Sequence, residues 1–191
     1  IKEKGKNQKY DCIVGVSGGV DSTYLAYLAK KWGLRPLAVH LDNGWNTKKA
    51  TQNISRVLKR LNIDLYTYVI DWEEFKDLQL SFLRASVMDI EIVTDQAIKA
   101  ALYKTANKHN IRYILSGVNL VTEGVMPRQW GHYKGDYINL LDIHKRFGNV
   151  EIKTYPILKI SDRFYCQIIK NIQMIEILNY VSYNRKKAKE I

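Results

Sequence analysis

Six residues, Ser17-Gly18-Gly19-Val20-Asp21-Ser22, constrain this chain more than any other stretch. They follow the apolar, partly β-branched run Cys12-Ile13-Val14-Gly15-Val16, which has the length of a buried strand. They precede Thr23–Trp32, where Leu25, Leu28, Ala29 and Trp32 recur at helical spacing and Gly33 supplies a stop. The six therefore sit on a strand-to-helix turn. Two glycines let the backbone come close to a ligand, and the open amide groups of a helix start favour an anion there. Ser17 and Ser22 add hydroxyl donors. Asp21 does not suit a bare anion site, because a carboxylate repels phosphate unless a cation lies between them. The pattern points to Mg2+ held jointly by Asp21 and phosphate oxygens.

The rest of the composition sets limits. A chain of 191 residues that is 46% apolar and 26% charged suits one globular domain with a sizeable core. No apolar run approaches membrane-spanning length and the N-terminal stretch holds no signal-like apolar core, so a cytoplasmic protein without a membrane partner is expected. Cys12 and Cys166 form no CxxC pair and read as buried, reduced thiols. The net charge of +11 invites a nucleic-acid reading, but residues 1–10 and 185–191 contribute +3 each, leaving +5 for the body. Terminal charge runs are commonly solvated segments, so the charge supports a polyanionic ligand, which a nucleotide satisfies, more than it supports RNA, and a nucleic-acid partner is not the expectation.

Along the chain, residues 1–9 read as a basic linker. A second strand is expected at Leu37–Leu41, ending at Asp42-Asn43-Gly44, followed by a helix over 47–61 with Ala50, Ile54, Val57, Leu58 and Leu61 on one face. Leu65–Ile70 reads as a third strand ending at Asp71, residues 73–84 and 95–109 as helices, and Tyr113–Leu115 as a fourth strand ending at Ser116-Gly117. His40 reads as a core or rim histidine, since no second metal ligand lies at suitable spacing. Residues 116–136 carry four glycines, a proline, mixed charge and no periodicity, and read as a long functional loop. Tyr155–Leu158 is a candidate fifth strand and 162–175 a candidate helix. The aromatics Tyr165, Tyr180 and Tyr183 read as packing residues rather than base-stacking ones. Strands alternating with helices predict a three-layer α/β domain around a parallel sheet. In such a sheet the first loop, Asp42-Asn43-Gly44, Asp71 and Ser116-Gly117 should share one rim.

Ser17–Ser22 in this setting resembles the pyrophosphate-binding loop of the PP-loop ATP pyrophosphatases; it is not a Walker A motif, since no Gly-Lys-Ser/Thr follows. The resemblance implies an adenine-nucleotide α-hydrolase-like domain over residues 10–160, with a helical C-terminal extension over 161–191 that continues further. It implies ATP and Mg2+ as cofactors, with Ser17, Gly18, Gly19, Asp21, Ser22, Asp42 and Gly117 binding nucleotide. Asp42 would contact adenosine; the alternative is an Asp-Asn-Gly turn with no ligand role. Asp71 is a weaker candidate on the same rim. The stretch Gly117-x-Asn119-x-x-x-Glu123 is similar to that of PP-loop amide-forming enzymes, in which the glutamate helps hold Mg2+. By that resemblance Asp21, Ser22 and Glu123 are the catalytic residues, with Asp21 and Glu123 on the metal; the alternative for Glu123 is a helix N-terminal acid. Asn119, Arg128, His132 and Lys134 are candidate substrate contacts, or else members of a solvated loop.

Together, the Ser17–Ser22 loop, the stretch Leu41-Asp42-Asn43-Gly44-Trp45-Asn46, the Asn119/Glu123 loop with Met126–Gly131, and Tyr180–Asn184 resemble the N-acetyl-sugar amidotransferases of surface-polysaccharide (lipopolysaccharide) biosynthesis. That branch implies a longer protein with a cysteine-containing segment upstream, a nucleotide-linked N-acetyl sugar as substrate, and a glutaminase subunit supplying ammonia. Two rival readings remain: a tRNA-modifying enzyme working through the same adenylate, and a non-catalytic nucleotide-binding domain.

Overall fold

The alternation along β1 (Cys12–Gly15) organises the molecule: Cys12 and Val14 enter one core cluster and Ile13 the other, as a period of two requires. This computed structural model describes residues 1–118, 133–181, 183 and 188. Five parallel strands form one sheet in the order β3-β2-β1-β4-β5, with β2 at Pro36–Asp42, β3 at Asp64–Val69, β4 at Tyr113–Ser116 and β5 at Gln173–Glu176. Helices cover both faces, so the expected three-layer parallel α/β architecture is the observed one. On one face α2 (Val20–Lys31) and α3 (Lys48–Leu61) bury Leu25, Ala26, Ala29, Ile54 and Leu58 against β1. On the other, Leu102, Tyr103 and Ala106 of α5 (Ile92–Lys108) pack on Ile13, Leu37 and Val39. A third cluster joins α4 (Trp72–Arg84) and α5 to α6 (Tyr137–Phe147) through Phe75, Leu78, Phe82, Val93, Leu140 and Ile143.

Chain direction across the sheet locates the crevice. From β1 the chain moves outward through β2 to β3, then returns to lay β4 on the other side of β1. The β1/β4 boundary is the switch point, where open parallel sheets leave a gap beyond their carboxyl ends.

Residues 1–9, read as a linker, begin with the short helix α1 (Lys2–Gly5), tied down where Arg35 Nη2 donates to Gly5 O and to Asp11 Oδ1, both at 2.7 Å. The fifth strand is not at Tyr155–Leu158. Pro156 has no N–H to give a ladder, and the Tyr155 N–H is taken by Glu74 Oε2 at 3.0 Å. The segment expected to stay helical through 175 forms α7 (Ile160–Phe164), widens to a π turn (Tyr165–Ile169), and breaks at Asn171, whose φ is 51°. Beyond the break the chain enters β5, which pairs Met174 with Ile114 and Ile175 with Leu115. Among the described residues no helix is long and apolar enough to cross a membrane. Cys12 and Cys166 are free and buried, and burial pushes the Cys12 thiol up to about 12.

Two buried acids of α4 hold the irregular segment 148–155. Glu74 accepts from the Thr154 and Tyr155 amides, and Asp77 Oδ2 from the amides of Asn149 (2.8 Å) and Val150 (3.0 Å) and from His144 Nε2 (3.0 Å). Burial alone would raise the Asp77 pKa, but the three donors outweigh it and hold the carboxyl below its ordinary value. A depressed folded-state pKa stabilises the fold above the unfolded value, about 4. That contribution is lost as pH falls through the lower folded value. Asp77→Asn is therefore expected to flatten the acid limb of a stability-versus-pH curve below about pH 4, read by chemical denaturation. An unchanged limb would mean that Asp77 has the same pKa in the folded and unfolded chain.

Candidate nucleotide-binding site

The turn between β1 and α2 is built from short-range contacts: the Ser17 amide donates to Ser22 Oγ at 3.2 Å and the Gly19 amide to Ser17 Oγ at 3.4 Å, while the amides of Gly18, Val20, Asp21 and Ser22 have no acceptor among the described residues. Gly18 has φ +79°, and a Cβ there would stand 2.8 Å from Ala50 O of α3. Only glycine fits that close approach without strain. Asn53 of α3 donates from Nδ2 to Gly18 O at 2.8 Å, so α3 holds the loop from outside. Within the loop, Ser22 Oγ donates to Gly19 O at 3.2 Å and stands 3.3 Å from Ser17 Oγ. Gly19 caps α2 in extended conformation without a side-chain bond, and the first intrahelical bond runs from Thr23 N–H to Gly19 O at 3.1 Å. The amides ahead of Thr23 at this helix start suit a phosphate group.

A cavity of about 450 Å3 opens at the β1/β4 switch point. Its floor is Ser17, Gly19, Asp21 and Ser22 of the loop, with Ser116 and Gly117 from the end of β4. A Cβ on Gly117 would lie 3.6 Å from the Ser22 amide nitrogen, which shows how closely β4 delivers its end to the helix start. Asn43 and Asn46 reach it from the end of β2, and the wall is apolar, made by Ile98, Ala101 and Leu102 of α5. The volume falls in the usual range for a small-ligand site. Buried His40 also lines it, and donates from Nδ1 to Val16 O at 2.9 Å. With that nitrogen engaged, the imidazole acts as a strut between β2 and the loop, in keeping with its reading as a rim residue.

The rim predicted from the sequence comes together in part. The first loop, Asn43, Ser116 and Gly117 share the cavity, whereas Asp42 and Asp71 are not among its walls. Asp42 Oδ1 instead accepts from Gly44 N and Asn46 Nδ2, each at 3.1 Å, and shapes its own turn. Asp71 caps α4, accepting from the amides of Glu73 and Glu74. Lys134 Nζ forms ion pairs with Asp95 (2.6 Å) and Asp89 (2.9 Å), which raise its pKa against the effect of burial. Asn119, Glu123, Arg128 and His132 lie outside the described residues. Sequence reasoning passed over Asn46, Asn53 and the α5 wall. Asn53 carried a weak signal, since it and Gln52 are uncharged polar residues on the helical stripe that joins Lys49 to Arg56.

Asp21 has one partner that no local pattern announces: Tyr183, from the C-terminal segment, donates its hydroxyl to Asp21 Oδ1. Among the described residues no cluster of three His, Cys, Asp or Glu side chains is assembled for a metal. A single carboxylate beside a phosphate cradle still suits Mg2+, which is commonly held by one or two carboxylates together with phosphate oxygens and water.

The fold and this cradle define a PP-loop, adenine-nucleotide α-hydrolase-like domain. Residues 11–111 match the family described as Queuosine biosynthesis protein QueC, and the chain belongs to that family and to the PP-loop ATP pyrophosphatases. Of curated relatives, a 7-cyano-7-deazaguanine synthase from Campylobacter jejuni subsp. doylei is 35% identical over 85 residues, covering 44% of this chain and 37% of that protein. A probable mitochondrial tRNA-specific 2-thiouridylase 1 from Caenorhabditis elegans is 31% identical over 122 residues, 55% of this chain and 32% of that protein. The matches thus span about a third of the length of these relatives. Among solved structures, a predicted subunit of tRNA methyltransferase from Methanocaldococcus jannaschii superposes with a TM-score of 0.53 at 19% identity. It covers 94% of this chain and 73% of that one, a likeness of fold.

Proposed function

We propose that this chain is the ATP-using part of an AMP-forming amidotransferase that acts on the acetamido group of an N-acetyl sugar, in nucleotide-linked form. The observation that carries the AMP-forming chemistry is the cradle itself: Gly18, Gly19 and the open first turn of α2, beside an apolar-walled cavity with Asp21 on its floor. A pyrophosphate seated there is a stabilised leaving group, because amide donors and the helix start face the charge it acquires. The acetamido oxygen attacks the α-phosphorus of ATP, the bond to the β-phosphate oxygen breaks, and pyrophosphate departs. Ammonia, delivered by a glutaminase partner, then adds to the activated carbon and expels AMP, leaving an acetamidino group. Mg2+ held at Asp21, with Glu123 as its second ligand, would supply charge neutralisation for the phosphates. Asn119, Arg128, His132 and Lys134 remain the proposed substrate contacts, Lys134 by exchanging one of its acidic partners for the substrate. The acceptor class rests on the resemblance of the Asp42–Asn46, Met126–Gly131 and Tyr180–Asn184 stretches.

A second reading, base modification of tRNA through the same adenylate, is favoured by one feature of α3. Lys49, Asn53, Arg56 and Arg60 share a stripe that rises about 16 Å along the helix. The three cations have no ion pair among the described residues and line grooves that meet at Gly18. A stripe of that length suits successive phosphodiesters better than one small ligand.

The two readings separate in one assay. The natural protein in full is given ATP labelled at the α-phosphate, Mg2+, ammonium, and either a panel of free and nucleotide-linked N-acetyl sugars or bulk tRNA. Sugar-dependent AMP release is the expected result. AMP released only with tRNA would move the assignment to the second reading, and ADP or no product would leave the loop as a binding site alone.

A further inference from the structure

Asp21 and Tyr24 stand one turn apart on α2, so their side chains meet on one side of its first turns. Tyr183 lies over both. Its ring packs on Tyr24 with centroids 5.4 Å apart and planes at 48°, while its hydroxyl donates to Asp21 Oδ1. A second residue of the same C-terminal stretch, Ala188, is buried in the groove lined by Val20, Thr23 and Tyr27 of α2 and by Val57 and Leu61 of α3. Two described residues of the C-terminal stretch thus lie beside the helix that carries the phosphate cradle, and one of them bonds the carboxylate on the cavity floor.

The geometry points to Tyr183 as a positioning residue for Asp21, one that holds the carboxylate in the orientation used to share a divalent cation with the phosphates of ATP. The inference rests on the proposed reading of Asp21 as a metal ligand. Three features favour it over simple packing. First, the donor is neutral: it restrains Oδ1 without cancelling the negative charge a cation needs, as a lysine or arginine there would. Second, Asp21 Oδ2 accepts no hydrogen bond among the described residues, so one oxygen is engaged and the other is left for a ligand. Third, the Tyr24 ring fixes where the hydroxyl stands, and a carboxylate with one oxygen anchored loses the side-chain rotation a metal would otherwise have to freeze. Groups that orient a metal-binding side chain in this way typically change metal affinity by about 10- to 100-fold when removed.

The test is calorimetric titration of ATP into the natural protein across a series of Mg2+ concentrations and in EDTA, for the wild type, Tyr183→Phe and Tyr183→Leu. For Tyr183→Phe, the Mg2+ concentration giving half of the full gain in ATP affinity should rise about 10-fold. Affinity in EDTA and the thermal midpoint should stay at wild-type values. Tyr183→Leu should show the same Mg2+ shift together with a lower midpoint, since it also removes the ring from Tyr24. A Tyr183→Phe curve that superposes on the wild type would overturn the inference and leave Tyr183 as a packing residue. Wild-type ATP affinity that is indifferent to Mg2+ would overturn the metal reading of Asp21 and this inference with it. That outcome is read on the wild type alone, so the two failures are distinguishable.

Discussion

Asp21→Ala is expected to lower AMP formation by about 10^2- to 10^3-fold, the scale on which removal of one preorganised charge-stabilising group acts. The fold should survive. Asp21 sits in the first turn of α2, makes no ion pair among the described residues, and belongs to none of the core clusters. Its loss leaves the Tyr183 hydroxyl without this acceptor at a half-buried site, and the change in unfolding free energy should stay within about 1 kcal/mol. The measurement pairs turnover of ATP labelled at the α-phosphate with a denaturation curve. Normal turnover in a folded variant would remove Asp21 from the metal and from the chemistry together.

Gly18→Ala should act through shape rather than charge. The new methyl group meets Ala50 O at 2.8 Å, and the backbone φ of +79° is one that a side chain makes costly. Holding the native loop would cost about 1–3 kcal/mol. Releasing it would swing the amides of Gly19 and the first turn of α2 away from the phosphate position. If the loop relaxes when free and must be restored to bind, that cost weakens ATP binding by about 5- to 150-fold, because about 1.4 kcal/mol is one decade. Asn53→Ala is the companion variant: it loses only the 2.8 Å bond to Gly18 O and should cost about 1 kcal/mol, with a smaller effect on ATP. Wild-type ATP affinity in Gly18→Ala would show that this loop does not seat the phosphates.

The parts of this protein that were readable in advance are those where one local rule dominates. The strand, the glycine pair and the helix start are contiguous, so Ser17–Ser22 declared its own geometry. The alternation of apolar runs then set a parallel sheet, and the switch-point rule brought Ser116 and Gly117 to the same cavity. The features that escaped notice depend on distant partners. Tyr155-Pro156-Ile157-Leu158 has strand-like composition, but the buried carboxylate of Glu74 claims the Tyr155 amide, a contact that no local window contains. The run 162–175 has helical spacing until Asn171 turns left-handed and Gln173 joins β4. For Asp42, sequence left two roles open, and its carboxylate is found bonded within its own turn. Tyr183 lies far along the chain from Asp21, and nothing in either neighbourhood hints that they touch.

The strand order also bears on how the chain is made. β2 follows β1 closely along the chain, but the other neighbour of β1 is β4, so Ile13 has to wait for Ile114 before that edge is covered. Until then the apolar strand that ends in the nucleotide loop keeps an open edge, available to any other nascent or unfolded chain. Long-range parallel pairing of this kind is slow to nucleate. During synthesis, then, the most hazardous stretch of the polypeptide is the one that carries its chemistry, and binding of ATP at the switch point would favour the closed sheet over its half-built precursors.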